Sequence, residues 1–267
     1  MNCLFKKIIE MNCFIINLPR DVERREFIID DMEKCNLNFS IVEAVDGSLL
    51  SAEDVGKYYN EKKSIELFNI KLSLGEIGCA LSHIKIYEKM VSDDICSAVI
   101  MEDDISIIDS KIDDVLTSLK NTYPADFPVV VLLNYVKRYV SNKDDIIIDE
   151  KYALHDSYRG VSASGYFITK AAARILADNI FPVYVVADKW EYFQEKFFPI
   201  KVLVPNCIGL SDESLSSTID LFGDRKKKIK IKFNINYYFN RYIKTIMFTF
   251  FKRPFMKIKM QKNIEIA

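Results

Sequence analysis

Apolar residues in this chain alternate between two patterns: short unbroken runs, and longer stretches where they recur every three or four positions. The unbroken runs read as buried strands and the periodic stretches as amphipathic helices. "CFIINL" (13–18) is the first strand, closed by Pro19. Residues 21–35 follow as a helix, with Asp21 in the N-cap position and Phe27, Ile28 and Met32 near one stripe. "FSIVEAV" (39–45) is a second strand, stopped by Asp46–Gly47. A polar segment containing Tyr58 and Tyr59 predicts a short helix and a loop. From Ser73 to Val91 the residues Leu74, Ile77, Leu81, Ile84 and Val91 keep helical spacing. "SAVIMED" (97–103) is a third strand, followed by a helix over 111–122. The strands "FPVVVLLN" (127–134) and "SASGYFIT" (162–169) come next, the latter running directly into a helix over 170–179. "KWEYFQEKF" (189–197) predicts a helix and "IKVLVP" (200–205) a last strand. Strands alternating with helices imply an α/β protein with a mostly parallel, doubly wound sheet, whose ligands bind at the carboxyl ends of the strands.

The charge distribution adds a division that the periodicity does not show. The net charge is -1. Residues 225–267, however, carry thirteen Lys/Arg and one acid (Glu265), against 24 basic and 37 acidic residues in 1–224. The chain therefore divides into an acidic body, 1–224, and a basic tail, 225–267. Within 225–260 lysine and arginine interleave with Phe, Tyr and Ile. Nucleic-acid binding is one reading of such a segment and packing on the acidic body is another. The density of large apolar residues favours a segment lying on an anionic membrane surface, with no nucleic-acid partner. No stretch of eighteen apolar residues exists, so no spanning helix is expected. "MNCLFKKIIE" lacks the apolar core of a signal peptide. The six cysteines show no CxxC spacing, and several sit in apolar runs as small hydrophobes, which fits a reduced compartment. The expected location is cytoplasmic, peripheral at the inner face of the membrane. "MNC" occurs at 1–3 and again at 11–13, ahead of the first strand, so residues 1–10 are expected either to be dispensable or to reflect a misjudged start.

Three constellations carry candidate chemistry. "VIMEDD" (99–104) ends a buried strand in Glu102, Asp103 and Asp104. Such a row can be a solvated loop cap. Here the apolar strand fixes the acids on a rigid edge, and unpaired carboxylates held together suit Mg²⁺ or Mn²⁺. "LGEIGCALSH" (74–83) places Glu76 and His83 seven residues apart on one helix face. The plain alternative for this helix is a core-facing surface with a hydrogen-bonded histidine. Gly75 and Gly78 each cost about 1 kcal/mol in a helix interior, a cost that a close backbone or ligand approach would explain. With only His83 and His155 in the chain, His-rich zinc chemistry is excluded. "NLPRDVERR" (17–25) sets Arg20, Arg24 and Arg25 after the first strand, where they can hold a diphosphate beside a helix N-terminus or simply make surface pairs along the helix. No P-loop, GxGxxG or GxSxG sequence occurs.

In order along the chain, "INLPRDVERR" (16–25), "VEAVDG" (42–47), "LGEIGCALSH" (74–83), "VIMEDD" (99–104), "GYFITKAAA" (165–173), "PVYVVAD" (182–188) and "LSDESLSSTI" (210–219) resemble glycosyltransferase family 25. That family comprises bacterial lipooligosaccharide glycosyltransferases and collagen galactosyltransferases. The resemblance spans roughly residues 12–220 and excludes the tail. It implies a GT-A-like, Rossmann-type sheet flanked by helices and a UDP-sugar donor carrying galactose or glucose. It further implies a glycan or glycolipid acceptor and inversion at the anomeric carbon. Glu102-Asp103-Asp104 looks like the family's DXD motif, with Asp104 and Glu102 on Mn²⁺ or Mg²⁺. The donor site implied comprises Asn17, Arg20, Arg24, Asp46, Glu76, His83, Glu102 and Asp103. Inversion needs a base, for which Asp188 is the first candidate and Asp212 or Glu213 the second.

Two other classes remain open on the sequence. Clustered acids at a strand end also serve metal-dependent phosphohydrolases and nucleotidyltransferases, although the first strand here ends in "NLPR" rather than in a nucleophilic signature. A non-catalytic, membrane-peripheral binding protein is the other.

Overall fold

The computed structural model describes residues 11–35, 37–211 and 235–261. The strands are β1 (Asn12–Asn17), β2 (Phe39–Glu43), β3 (Ser97–Glu102), β4 (Ile105–Ile107), β5 (Val130–Leu132), β6 (Arg138–Val140), β7 (Ile146–Ile147), β8 (Ala153–Ser157), β9 (Gly165–Thr169), β10 (Ile200–Val204), β11 (Ile208–Leu210) and β12 (Ile258–Met260). The helices are α1 (Val22–Lys34), α2 (Ala52–Tyr58), α3 (Glu61–Phe68), α4 (Leu74–Ser92), α5 (Ile112–Thr122), α6 (Lys170–Ile180), α7 (Trp190–Lys196) and α8 (Ile235–Met247).

A ten-stranded sheet runs in the order β2-β1-β3-β9-β5-β10-β8-β6-β12, with β7 paired to β8. The pairs β1–β2, β1–β3 and β5–β10 are parallel. Following the pairings across the sheet, seven strands point one way and only β8, β9 and β12 oppose them. The sheet is therefore mostly parallel in direction, as the sequence implies, with β9 inserted antiparallel at its centre.

Each central strand is buried on both faces, which is why it reads as an unbroken apolar run. Phe14, Ile16, Ala98, Ile100, Tyr166 and Ile168 face α4, α6 and α7 in one cluster. The intervening Cys13, Ile15, Val99, Met101 and Phe167 face α1 and α5 in another. Helices thus cover both faces. Asp21 occupies the N-cap position of α1 without a side-chain cap bond.

Helix α4 is fixed at its start and along its length. Ser73 and Glu76 form a capping box: the Ser73 backbone N–H donates to Glu76 Oε2 (2.8 Å), and the Glu76 N–H donates to Ser73 Oγ (3.2 Å). One turn on, Gly78 lets the loop after β2 touch the helix backbone. A Cβ at Gly78 would lie 2.5 Å from the Val45 carbonyl oxygen and 2.7 Å from the Gly47 nitrogen. The Val45 N–H donates to Ser82 Oγ (2.8 Å), which donates to the Gly78 carbonyl (2.8 Å). The helix cost of Gly78 is the condition for this contact.

The sequence pattern left β4, β6, β7, β8, β11 and β12 unpredicted. Each has only two to five residues, too few to display a period, and pairing with neighbours decides their conformation. The tail also differs from a purely superficial segment. Strand β12 pairs antiparallel with β6 at the sheet edge, and the buried Gln261 backbone N–H donates to the Lys137 carbonyl (3.2 Å). Helix α8 touches the body through Lys244 and Glu195 (2.8 Å), and Phe248 lies against Tyr158 (6.1 Å between ring centres). None of the described helices is long and apolar enough to cross a membrane.

Replacing Gly78 by alanine tests the close approach. Alanine favours a helix by about 1 kcal/mol, yet overpacking against Val45 and Gly47 should outweigh that gain and leave a net loss of about 1–3 kcal/mol. Urea denaturation of the Gly78→Ala variant measures this; a stabilised variant would show that the backbone contact is dispensable.

Candidate active site

The parallel pairing of β1 with β3, Ile16 opposite Glu102, brings the carboxyl ends of both strands to one edge. Asn17, the last residue of β1, is buried. Its Nδ2 donates to Asp103 Oδ2 (2.7 Å) and to the Asp21 carbonyl (3.1 Å), joining the acid turn to the start of α1. Arg24, on the first turns of α1, lies 3.6 Å from Asp103 Oδ1. Burial raises the Asp103 carboxyl above its usual value, and the Asn17 bond and Arg24 only partly offset that.

Arg20 reaches across to Asp46. Asp46 opens a single 3₁₀ turn, Gly47–Leu49, and accepts from the Ser48 N–H (2.9 Å) and Ser48 hydroxyl (2.6 Å). Burial alone would raise Asp46; the Ser48 bonds and Arg20 reverse the sign and hold it below the usual carboxylate value. Both arginines therefore reach acids distant in sequence, Arg20 also lying 4.0 Å from the neighbouring Asp21. Between them lies an open depression of about 310 Å³ lined by Arg20, Asp21, Val22, Glu23 and Arg24.

The other two acids of the turn behave differently. Asp104 Oδ1 is buried and has no hydrogen-bond partner among the described residues. Burial first, then the charges of Glu102 and Asp103, push the Asp104 carboxyl up to about 7. The Asp104 backbone carbonyl, by contrast, accepts from the Ser211 N–H (3.0 Å) and hydroxyl (3.2 Å), so the turn itself is held. Glu102 Oε1 lies 3.3 Å from His83 Nε2 and 3.9 Å from Cys79 Sγ. Behind His83, Nδ1 is 2.7 Å from the Tyr166 hydroxyl, which is 2.7 Å from the Tyr87 hydroxyl. These hydroxyls are buried, and both phenols are raised well above their usual range, by burial first. They stay protonated.

Asp188 lies on an exposed turn before α7. The Cys79 thiol is raised by burial first and then by the carboxylates of Glu102, Asp188 and Asp104. Asp188, more than eighty residues from Glu102 and Asp104 in sequence, thus acts with them on one thiol. The Trp190 indole N–H donates to the Ser162 carbonyl (2.8 Å) and ties the start of α7 to the same edge.

Of the residues singled out from the sequence, the structure gathers Asn17, Arg24, Glu102, Asp103 and Asp104 around the end of β3, with His83 and Asp188 beside them. Arg20 and Asp46 form a neighbouring pair. Glu76 sits at the start of α4, where one carboxylate oxygen closes the capping box. Asp212 and Glu213 lie outside the described residues. Sequence reasoning passed over Cys79, Tyr87 and Tyr166. Cys79 is four residues before His83, one helical turn, and that spacing is the signal that could have found it.

A hard cation fits this edge. Asp104 offers a buried oxygen with no partner among the described residues, and Glu102 is half-buried beside it. Their donor atoms are the carboxylate oxygens that Mg²⁺ and Mn²⁺ take.

The Glycosyltransferase family 25 (LPS biosynthesis protein) model matches residues 11–190. A "Glycosyltransferase 25 family member" of Aedes aegypti is 35% identical over 95 residues, covering 34% of this chain and 16% of the relative. Procollagen galactosyltransferase 2 of Mus musculus is 29% identical over 99 residues, 34% of this chain and 15% of the relative. The "Inactive glycosyltransferase 25 family member 3" of Homo sapiens is 30% identical over 99 residues, 34% and 16%. The chain thus spans about a sixth of the length of these curated relatives. Among solved structures, a glycosyltransferase involved in the glycosylation of the major capsid of PBCV-1 superposes with a TM-score of 0.39 at 11% identity, covering 72% of this chain and 80% of the other.

The raised Asp104 carboxyl has a consequence in the absence of divalent cations. A carboxyl whose folded pKa lies above its unfolded value favours folding when protonated. Its contribution is complete below about 4 and is lost as pH rises through about 7. In EDTA, Asp104→Asn should therefore flatten the fall in stability between those values and stabilise the protein at pH 8 by about 1–3 kcal/mol. Denaturation midpoints at pH 5 and pH 8 for both proteins check it; parallel profiles would remove the charge conflict at Asp104.

Proposed function

The chain belongs to glycosyltransferase family 25, and from that premise we propose that it is an inverting hexosyltransferase. It moves galactose or glucose from a UDP-sugar to a lipooligosaccharide or other surface-glycan acceptor. The buried oxygen of Asp104, without a hydrogen-bond partner among the described residues and beside Glu102 at the end of a rigid strand, is the observation that carries this reading. Relatives described as inactive belong to the same family, so turnover has to be measured on this chain.

Asp104 and Glu102 would hold Mn²⁺ or Mg²⁺. A divalent cation there supplies Lewis-acid stabilisation of the charge that develops on the leaving diphosphate. Arg20 and Arg24, at the depression beside the start of α1, offer cationic donors to the same diphosphate. Asn17 and Asp103 hold the acid turn in register with β1, and Asp46 holds Arg20. His83 orients Glu102, itself backed by the Tyr166 and Tyr87 hydroxyls. Glu76 fixes the start of the helix that carries His83. Asp188, exposed and close enough for its charge to reach Cys79, accepts the acceptor hydroxyl proton as the sugar is displaced.

The acceptor side of the proposal involves the tail. Helix α8 and the turn after it expose Phe239, Tyr242, Phe250, Phe251 and Phe255, interleaved with Arg241, Lys244, Lys252 and Arg253, and residues 235–261 contain no acid. An anionic membrane surface supplies both the charge and the apolar phase this surface lacks, and it is where a lipid-linked acceptor would be met.

Release of UDP from UDP-galactose and UDP-glucose, with Mn²⁺ and a small sugar acceptor, tests the reaction. Asp104→Asn should lower turnover by about 10²-fold or more, and Asp188→Asn should lower kcat far more than it weakens UDP binding. UDP release that ignores both EDTA and the Asp104 substitution would exclude the metal role. Unchanged kcat in Asp188→Asn would move the base to Asp212 or Glu213. Release of phosphate without need of a sugar acceptor would make the protein a phosphohydrolase.

The membrane surface has its own test. Because β12 belongs to the sheet, substitutions suit the question better than truncation. The full chain should co-sediment with anionic vesicles and be released by salt, while a Tyr242→Ser, Phe250→Ser, Phe251→Ser variant should stay in solution. Equal sedimentation of both, or no preference for anionic over neutral vesicles, would refute a membrane-bound tail.

A further inference from the structure

Beside the oxygen-rich edge lies a second donor set of different chemistry. Cys79 and His83 stand one turn apart on α4, and Glu102 meets them from the end of β3. One ligand atom from each residue falls within 4.8 Å of the others. We propose that Cys79 Sγ, His83 Nε2 and Glu102 Oε1 form a site for a thiophilic divalent cation, zinc above all, whose occupation withdraws Glu102 from the oxygen side and inhibits the enzyme. The proposal goes beyond the transferase reading and shares with it only Glu102.

The spacing fits. Tetrahedral zinc, with bonds of about 2.0–2.3 Å to N, O and S, sets its donors roughly 3.3–3.6 Å apart. Glu102 Oε1 is 3.3 Å from the His83 nitrogen and 3.9 Å from the Cys79 sulfur, two sides within a few tenths of an ångström of that spacing, and the third side is within 4.8 Å. The histidine is backed as a ligand needs to be. With its proton on Nδ1, it donates to the Tyr166 hydroxyl at 2.7 Å, and that hydroxyl donates to Tyr87 at 2.7 Å, leaving Nε2 free to bind. His83 itself is buried and Glu102 half-buried, so the entrance is on the Glu102 side. Asp104 and Asp188, whose charges also reach the Cys79 thiol, add negative potential around the cation.

The donor types choose the metal. A thiolate and an imidazole rank zinc far above manganese, and magnesium avoids both. On binding, Cys79 releases its thiol proton to solvent as the metal–sulfur bond forms, and no oxidation occurs. The composition excludes a His-rich zinc site; it leaves room for this mixed one.

Co²⁺ serves as a spectroscopic stand-in for Zn²⁺ and requires no catalytic turnover. Titration of the full chain should give an intense near-ultraviolet sulfur-to-cobalt band with tetrahedral visible absorption, saturating at one equivalent and abolished by Zn²⁺. Cys79→Ser should weaken Co²⁺ binding by at least about tenfold and remove the band, while Cys96→Ser, at an exposed cysteine, should leave it. Absence of the band, or its survival in Cys79→Ser, overturns the site. Should that variant not fold, Zn²⁺ protection of Cys79 from alkylation in the unmodified chain decides the matter: unprotected alkylation refutes it. If the protein turns over UDP-sugar, Zn²⁺ should inhibit in competition with Mn²⁺ and do so less in Cys79→Ser. Cobalt binding without turnover would sink the transferase reading and leave the site standing.

Discussion

Three adjacent carboxylates at the end of a fully buried strand are the constraint around which this structure is arranged. The apolar residues Ala98, Val99, Ile100 and Met101 lock β3 into the sheet on both faces, so the acids that follow cannot retreat into solvent as they would on a loose loop. Each is dealt with differently. Asp103 is taken up by Asn17 and Arg24, Glu102 by His83, and Asp104 keeps one oxygen with no partner among the described residues. In a medium of low dielectric the repulsion among them is not screened, and it leaves a position where positive charge is stabilising. Solvation of a surface cap would have relieved that repulsion without any of these contacts.

Helix α4 supplies the opposing wall. Its position depends on a backbone-to-backbone approach at Gly47 and Gly78, reinforced by Ser82, and not on an apolar stripe alone. That contact sets the height of Cys79 and His83 against the end of β3. The tyrosine pair behind His83 then fixes the imidazole plane, because a buried hydroxyl left unpaired would be costly. A packing feature in a loop after β2 thereby governs the orientation of Glu102 on a different strand. The site is built from long-range contacts throughout, with Asn17 and Asp103 separated by 86 residues and His83 and Tyr166 by 83.

The tail shows the same coupling of local pattern to distant partner. Its basic and aromatic residues expose a face on α8 and the following turn, yet its last described strand closes the edge of the main sheet against β6. The division between body and tail that the charge distribution suggests is therefore a division of surface character, since the sheet continues across it.

Much of this was legible in the sequence, for a physical reason. Strands buried on both faces must be continuous apolar runs, and helices packed on one side must show a period near 3.6, so β1, β3, β9, α4 and α6 declare themselves. The acid triplet was visible because charge after such a run conflicts with burial, and Gly78 because glycine inside a helix conflicts with propensity. The sequence determined the α/β alternation, the edge where chemistry belongs and the family to which the motifs point. Only the tertiary structure decided the rest. The short strands β6, β7, β8 and β12 exist because partners complete their hydrogen bonds, and β9 runs antiparallel because its neighbours fix its direction. Cys79 gains its meaning from Glu102, 23 residues on in the chain, through a contact that no local pattern records. Local periodicity records which face of an element is buried; it carries no record of what that face, or the residue at its end, will meet.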